Sequence, residues 1–179
     1  FAITAVTSLL LGIVNYITED IIRKRQEEKE AAAMEVVLPR PTDEEIGYSF
    51  TKLEYTGSDA IVEKVYRAED VLSSLNALYY VVLVSPSGFG GEINMAVGID
   101  QDNKVTGVTI ISMSETSGLG SNASSPDFLS QFVGGTGKFA VSKDGGEIDA
   151  LTGATVTSRA VTRGVNSALE AVSTLNKEG

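Results

Sequence analysis

Asp149-Ala150-Leu151-Thr152-Gly153-Ala154-Thr155-Val156-Thr157 runs straight into a stretch where Val161, Val165, Ala168, Leu169 and Val172 recur at helical spacing. That periodicity over 158–175 predicts an amphipathic helix beginning near Thr157 or Ser158. Threonines thus crowd a helix N-terminus, where unpaired backbone N–H groups and the positive end of the helix dipole collect. Gly153 and Ala154 are small enough to let a phosphate approach the helix head. The same residues also suit a plain capped helix start, because Thr and Ser are common N-caps and a glycine before a helix is ordinary.

Composition narrows the chemistry. With 179 residues and 42% hydrophobic content, the chain has room for one domain with a real core plus an appendage. It contains no Cys and no His, which removes thiol nucleophiles, imidazole bases, iron–sulfur ligation and the usual zinc and haem ligands. Redox chemistry on this chain therefore needs an organic cofactor. The formal net charge of −10 argues against nucleic acid as a partner and leaves any anionic ligand dependent on local help.

A second stretch, Glu115-Thr116-Ser117-Gly118-Leu119-Gly120, read alone is turn punctuation. Together with Asp149-x-x-Thr152-Gly153-Ala154-Thr155, it resembles the FMN-binding domain family shared by the G subunit of the Rnf complex and the C subunit of the sodium-pumping NADH:quinone reductase. The stretch at 115–120 is similar to that family's Glu-Thr-Pro-Gly-Leu-Gly signature, and the one at 149–155 to its flavinylation motif. The likeness extends over roughly Ile61 to Leu175 and includes the loop Gly88-Phe89-Gly90-Gly91. Ser117 replaces the usual proline, which loosens a turn, and Ser114 stands where a histidine often precedes the glutamate.

The resemblance implies that a flavin transferase joins FMN through its phosphate to the hydroxyl of Thr155, as a phosphoester. It places Thr152, Gly153, Ala154, Val156 and Thr157 around the attachment point, and Glu115, Thr116, Ser117, Gly118, Leu119 and Gly120 in the flavin pocket. Leu119 is expected to lie on the flavin ring. Arg159 and Arg163 are candidates to neutralise the phosphate, although a solvated helix face suits each equally well, and Asp149 is expected to serve recognition by the transferase.

Along the chain, Phe1 to Ile17 is nearly uncharged and mostly apolar, and Ile21 and Ile22 prolong that character. It reads as a transmembrane anchor over 1–22, somewhat short for a span of about 20 apolar residues unless the natural chain continues before Phe1. A signal peptide is the rival reading, but no small-residue cleavage site follows the apolar run. Arg23-Lys24-Arg25 would by the positive-inside tendency keep the domain in the cytoplasm, whereas the family resemblance implies the outer face of the cell membrane. Residues 23–45 read as a helical, solvated juxtamembrane stalk ended by Pro39 and Pro41, and 46–179 as the FMN-binding domain.

Within that domain Tyr48, Phe50, Leu53 and Tyr55 alternate in strand fashion. Leu78 to Val84 is a β-branched and aromatic run too continuous to be half exposed. Residues 92–100 and 104–111 flank a turn at Asp100-Gln101-Asp102-Asn103 and predict a hairpin that delivers the chain into Glu115. Ser124 to Asp127 signals a short helix carrying Phe128, Leu129 and Phe132, and Lys138 to Val141 reads as a short strand. The expected fold is α+β: an N-terminal transmembrane helix, then one mixed α/β FMN-binding domain with antiparallel hairpins.

The implied function is that of an electron-transfer subunit with covalent FMN in an ion-pumping ferredoxin:NAD oxidoreductase complex. Such a chain is a redox part of a translocase and not a complete catalyst, and it has other membrane and redox subunits, the flavin transferase and lipid as partners. The alternatives are the C subunit of the quinone reductase, a stand-alone extracytoplasmic flavinylated protein, and an anchored binding module without redox chemistry.

Overall fold

The structure, a computed structural model, describes residues 2–41, 47–71 and 77–178, with side chains in the first seventeen residues described for Thr7 alone. Packing divides the chain into two compact units, Phe1–Ala32 and Ala33–Gly179. The first unit is helical and belongs to α1, Ala2–Val36. Along it Arg23 pairs with Asp20 at 2.8 Å, and the Gln26 amide donates to Glu30 at 3.3 Å. Among the described residues no helix is long and apolar enough to cross a membrane. The side chains of the apolar run read as a span lie almost entirely outside the described set, as does Ile46, the expected start of the domain.

The second unit is built on a five-stranded sheet of β1 (Tyr48–Leu53), β2 (Val62–Asp70), β3 (Leu78–Val84), β4 (Ile93–Asp100) and β5 (Val105–Met113). Strand order follows chain order and every pairing is antiparallel. The β4–β5 turn is closed by Asp100, whose carboxylate accepts the Asp102 and Lys104 N–H groups at 2.9 Å each, while Asn103 takes a left-handed φ of 59°.

Both faces of the sheet are covered, which explains the unbroken apolar run in β3. Tyr80, Val82 and Val84 face one core, shared with Ile93, Met95, Val97 and Ile99 of β4 and with α3, Thr155–Glu178. Val161, Val165, Ala168, Leu169 and Val172 of α3 are all buried there, so the 3.6-residue period found its partner in the sheet. Tyr79, Val81 and Leu83 face the other way, into a smaller core with Ala68 and Ala96.

That smaller core is closed by Ala33, Val37 and Leu38, from the stretch expected to be a solvated stalk. Gly98 and Gly107 stand opposite each other in the β4–β5 register and form a notch without side chains. The backbone of Val37 lies on this notch, and the Thr106 hydroxyl donates to the Val37 carbonyl at 2.7 Å. No periodicity in 33–38 announces this contact, because it is made by backbone rather than by an apolar stripe.

At the edge of this core the Tyr48 hydroxyl donates to the Pro39 carbonyl at 3.0 Å. Burial first, then nearby Tyr79 and Asp70, push the Tyr48 phenol up to about 12 from its ordinary value of 10.0. A raised folded-state value stabilises the protein fully below pH 10 and loses that contribution as pH climbs toward about 12. Alkaline unfolding followed by phenolate absorbance should shift to higher pH in Tyr48→Phe, and an unchanged midpoint would contradict this account.

One local expectation needs correction. Lys138 to Val141 is not a strand: Gly137 and Lys138 take positive φ values of 119° and 54°, and the segment makes a single parallel bridge, Val141 to Ile148. Its backbone is held instead by the side chain of Asn166 on α3, which accepts from the Phe139 N–H at 2.9 Å and donates to the Phe139 carbonyl at 2.8 Å. The expected short helix is present as α2, Pro126–Leu129, continued by a 3₁₀ turn over Ser130–Phe132. Phe128, Phe132 and Phe139 pack edge to face there, with ring centroids 5.7 and 5.3 Å apart.

Candidate functional site

Helix α3 begins at Thr155, two residues before the apolar periodicity suggests. The cause is a tight turn from Leu151 to Ala154, closed by the Ala154 N–H donating to the Leu151 carbonyl at 3.0 Å, with Gly153 at a left-handed φ of 74°. Ser158 locks this turn to the helix: its hydroxyl accepts the Leu151 N–H at 2.9 Å and donates to the Ala154 carbonyl at 3.0 Å. The residue at the cap is therefore alanine, which offers no side-chain acceptor. The N–H groups of Thr155, Val156 and Thr157 find no acceptor among the described residues. This helix head is left open to an acceptor from outside the chain.

The hairpin strand β5 ends at Met113 and places Glu115 beside this helix head. One carboxylate oxygen of Glu115 accepts the N–H groups of Phe89 and Gly90 at 2.8 and 3.1 Å, and the other accepts the Thr157 hydroxyl at 2.7 Å. Glu115 thus fastens the 88–91 loop, the 115–120 loop and α3 to one another through charge-assisted hydrogen bonds. Gly120 is required by this packing, because a Cβ there would stand 2.5 Å from the Glu115 carboxylate and 2.9 Å from the Thr157 hydroxyl. The turn at Ser117-Gly118 stays closed without a proline: the Thr116 carbonyl accepts the Leu119 and Ser121 N–H groups at 3.2 Å each.

These loops line an open cavity of about 370 Å³, within the range of small-molecule sites. Of the residues singled out in the sequence, Glu115, Thr116, Leu119, Gly120, Gly153, Ala154, Thr155, Val156 and Thr157 line it, and Phe89 and Lys143 complete the wall. Thr152, Ser117 and Gly118 lie off the wall. Its rim carries three large apolar side chains in solvent, Phe89 at 72%, Val156 at 49% and Leu119 at 44% exposure. Clustered exposed apolar groups beside a cavity mark a binding surface.

The threonines divide by role. Thr157 is buried and its hydroxyl is committed to Glu115. Thr155 is half-buried, opens into the cavity, and its hydroxyl accepts a hydrogen bond from the Lys143 ammonium at 3.1 Å. The two arginines expected at the phosphate are engaged elsewhere. Arg159 forms a two-pronged ion pair with Asp144, at 2.7 and 2.6 Å, which holds the Asp144 carboxyl below its usual range. Arg163 donates to the Ser87 carbonyl at 2.9 Å. Sequence reasoning missed Lys143; its only signal was a cation placed just before a motif that has none.

The residues present fit a flavin mononucleotide: an apolar rim for a flat ring, polar walls, and a helix head with a cavity-facing hydroxyl and an ammonium group for a phosphate. The matching family model says the same, since the one described as FMN-binding domain matches residues 88–170. The G subunit of the Na(+)-translocating ferredoxin:NAD(+) oxidoreductase complex of Acetobacterium woodii is 35% identical, over 99% of this chain and 90% of its own length. The G subunit of the ion-translocating oxidoreductase complex of Methanosarcina acetivorans is 33% identical, over 96% of this chain and 89% of its own. The chain belongs to this family, the G subunits of ion-translocating oxidoreductase complexes. In fold it is similar to the C subunit of the Na(+)-translocating NADH-quinone reductase of Parabacteroides distasonis, with a TM-score of 0.60 at 18% identity, covering 85% of this chain and 92% of that one.

Proposed function

We propose that the chain carries FMN esterified to the Thr155 hydroxyl and relays electrons through it as the G subunit of an ion-translocating ferredoxin:NAD oxidoreductase complex. Membership of the family makes it a redox subunit of such a complex. The observation that carries the attachment reading is the Thr155 hydroxyl, standing at an open helix head inside an apolar-rimmed cavity with an ammonium group 3.1 Å away.

When bound, FMN supplies reversible electron uptake by its ring, and the protein supplies place and environment. Phe89, Leu119 and Val156 give the ring an apolar surface that does not titrate. Glu115 holds the two loops of the pocket against α3 through its three hydrogen bonds. The unpaired N–H groups of Thr155, Val156 and Thr157 face the phosphate's end of the site. An ester tether removes the need for a deep phosphate cage, in keeping with a site open to solvent.

In the same proposal residues 1–22 anchor the chain in the cell membrane, the flavin domain lies on the extracytoplasmic face, and a flavin transferase matures it. The apolar composition of Phe1 to Ile17 supports the anchor. Protease digestion of intact cells should then remove the domain. The attachment is tested by producing the chain beside a flavin transferase, then mapping added mass by peptide mass spectrometry and recording fluorescence of the denatured band. FMN on the peptide containing Thr155 is the expected result; no adduct despite a competent transferase would return Thr155 to an ordinary helix start.

A further inference from the structure

Lys143 and Asp144 are neighbours on the 3₁₀ turn Ser142–Asp144, which Gly145 ends at a left-handed φ of 84°. The two side chains reach residues one helical turn apart on α3: Lys143 donates to Thr155 at 3.1 Å, and Asp144 grips Arg159 at 2.6 and 2.7 Å. Residues four apart share a helix face, so the turn is strapped along one side of the helix head at two points. The charges in this strap are not balanced. Asp144 and Arg159 neutralise each other, while Lys143, among the described residues, has no carboxylate within ion-pair distance. Glu115, the carboxylate on the same cavity wall, is occupied by two N–H groups and the Thr157 hydroxyl. In a chain of net charge −10, a cation without an anion, aimed at the hydroxyl of an open helix head, is a site prepared for one.

We propose that Lys143 is the counter-ion of the flavin phosphate at Thr155, and that the Asp144–Arg159 bridge is the positioning pair that holds it there. This rests on the reading of the cavity as a flavin site. The ammonium group compensates the phosphate's charge where the attachment loop offers no cation of its own, and the bridge prevents an exposed lysine from dispersing its charge into solvent. Arg159 therefore acts on the phosphate through Lys143 and not by contact.

The test compares FMN with riboflavin, which lacks the phosphate, on the full chain purified in detergent from cells without a flavin transferase. Affinities come from quenching of flavin fluorescence. The wild-type chain is expected to prefer FMN about tenfold, the size of one partly exposed charge-assisted hydrogen bond. Lys143→Met should lose the preference and bind FMN no more tightly than riboflavin, and Lys143→Arg should restore most of the preference. Arg159→Met should lower the preference about threefold without touching riboflavin binding, a loss intermediate between the intact and absent ion contact. Raising salt should erode the preference in the wild type and not in Lys143→Met. A full preference retained in Lys143→Met, or none in the wild type, would overturn the role of Lys143 alone. Failure of the wild-type chain to bind riboflavin would instead overturn the flavin cavity on which that role depends.

Discussion

Thr155→Val is expected to abolish covalent flavin completely while changing stability by no more than about 0.5 kcal/mol. Valine keeps the β-branched shape and nearly the same helix propensity, and the only hydrogen bond lost is the one from exposed Lys143. The other hydroxyl of the helix head that lines the cavity, that of Thr157, is donated to Glu115. Thr157, two residues on, is the control. Its hydroxyl is buried against Glu115 at 2.7 Å, so Thr157→Val strands a carboxylate oxygen and should cost about 1–3 kcal/mol, with the proposed attachment atom, the Thr155 hydroxyl, left in place. Peptide mass spectrometry with thermal unfolding separates the two. Flavin retained on denatured Thr155→Val would refute the assignment, and equal stability loss in both variants would refute the division of roles.

Gly107→Val is the second large effect, and it acts on the far side of the sheet. A Cβ at Gly107 would stand 2.7 to 3.0 Å from the carbonyl oxygen, Cα and carbonyl carbon of Val37. Backbone cannot move aside as the tip of a flexible side chain does, so residues 33–38 must lift off. Val37 and Leu38 would then leave Ala68, Val81, Leu83 and Ala96 uncovered. Overpacking of this kind costs about 3 kcal/mol, which lowers Tm by roughly 10 °C in a domain of this size. Gly98→Val should do the same, because Val37 sits against both glycines of the pair. The measurement is a thermal melt joined to limited proteolysis near Leu38; an unchanged Tm would show that this contact is dispensable. The same packing predicts that a fragment begun after Pro41 exposes the smaller core.

Much of the molecule is legible locally. The 3.6-residue period in 158–175 identified α3 and its buried face, and the turn residues at Asp100 to Asn103 identified the β4–β5 hairpin. The unbroken apolar run in β3 announced a strand covered on both faces. The absence of Cys and His confined the chemistry to an organic cofactor, and the two motifs pointed to the loops that line the cavity. Each of these is a property of neighbours in the chain, written in periodicity, turn chemistry or residue type.

What lay beyond such reading is every contact that brings distant segments together. Lys143 meets Thr155 across 12 residues, Arg159 is drawn to Asp144 across 15, Glu115 captures Thr157 across 42, and Thr106 holds the Val37 carbonyl across 69. A lysine in a turn, an arginine on a helix or a pair of glycines in a hairpin looks alike whether or not a partner waits for it. Side-chain charge and backbone conformation are local, but which charge meets which depends on where packing of the two cores sets the loops. The sequence singled out Thr155 as a candidate and identified the helix that it begins; the folded sheet determined which cation faces its hydroxyl, because burial of α3 on one face brings the 142–146 turn within reach.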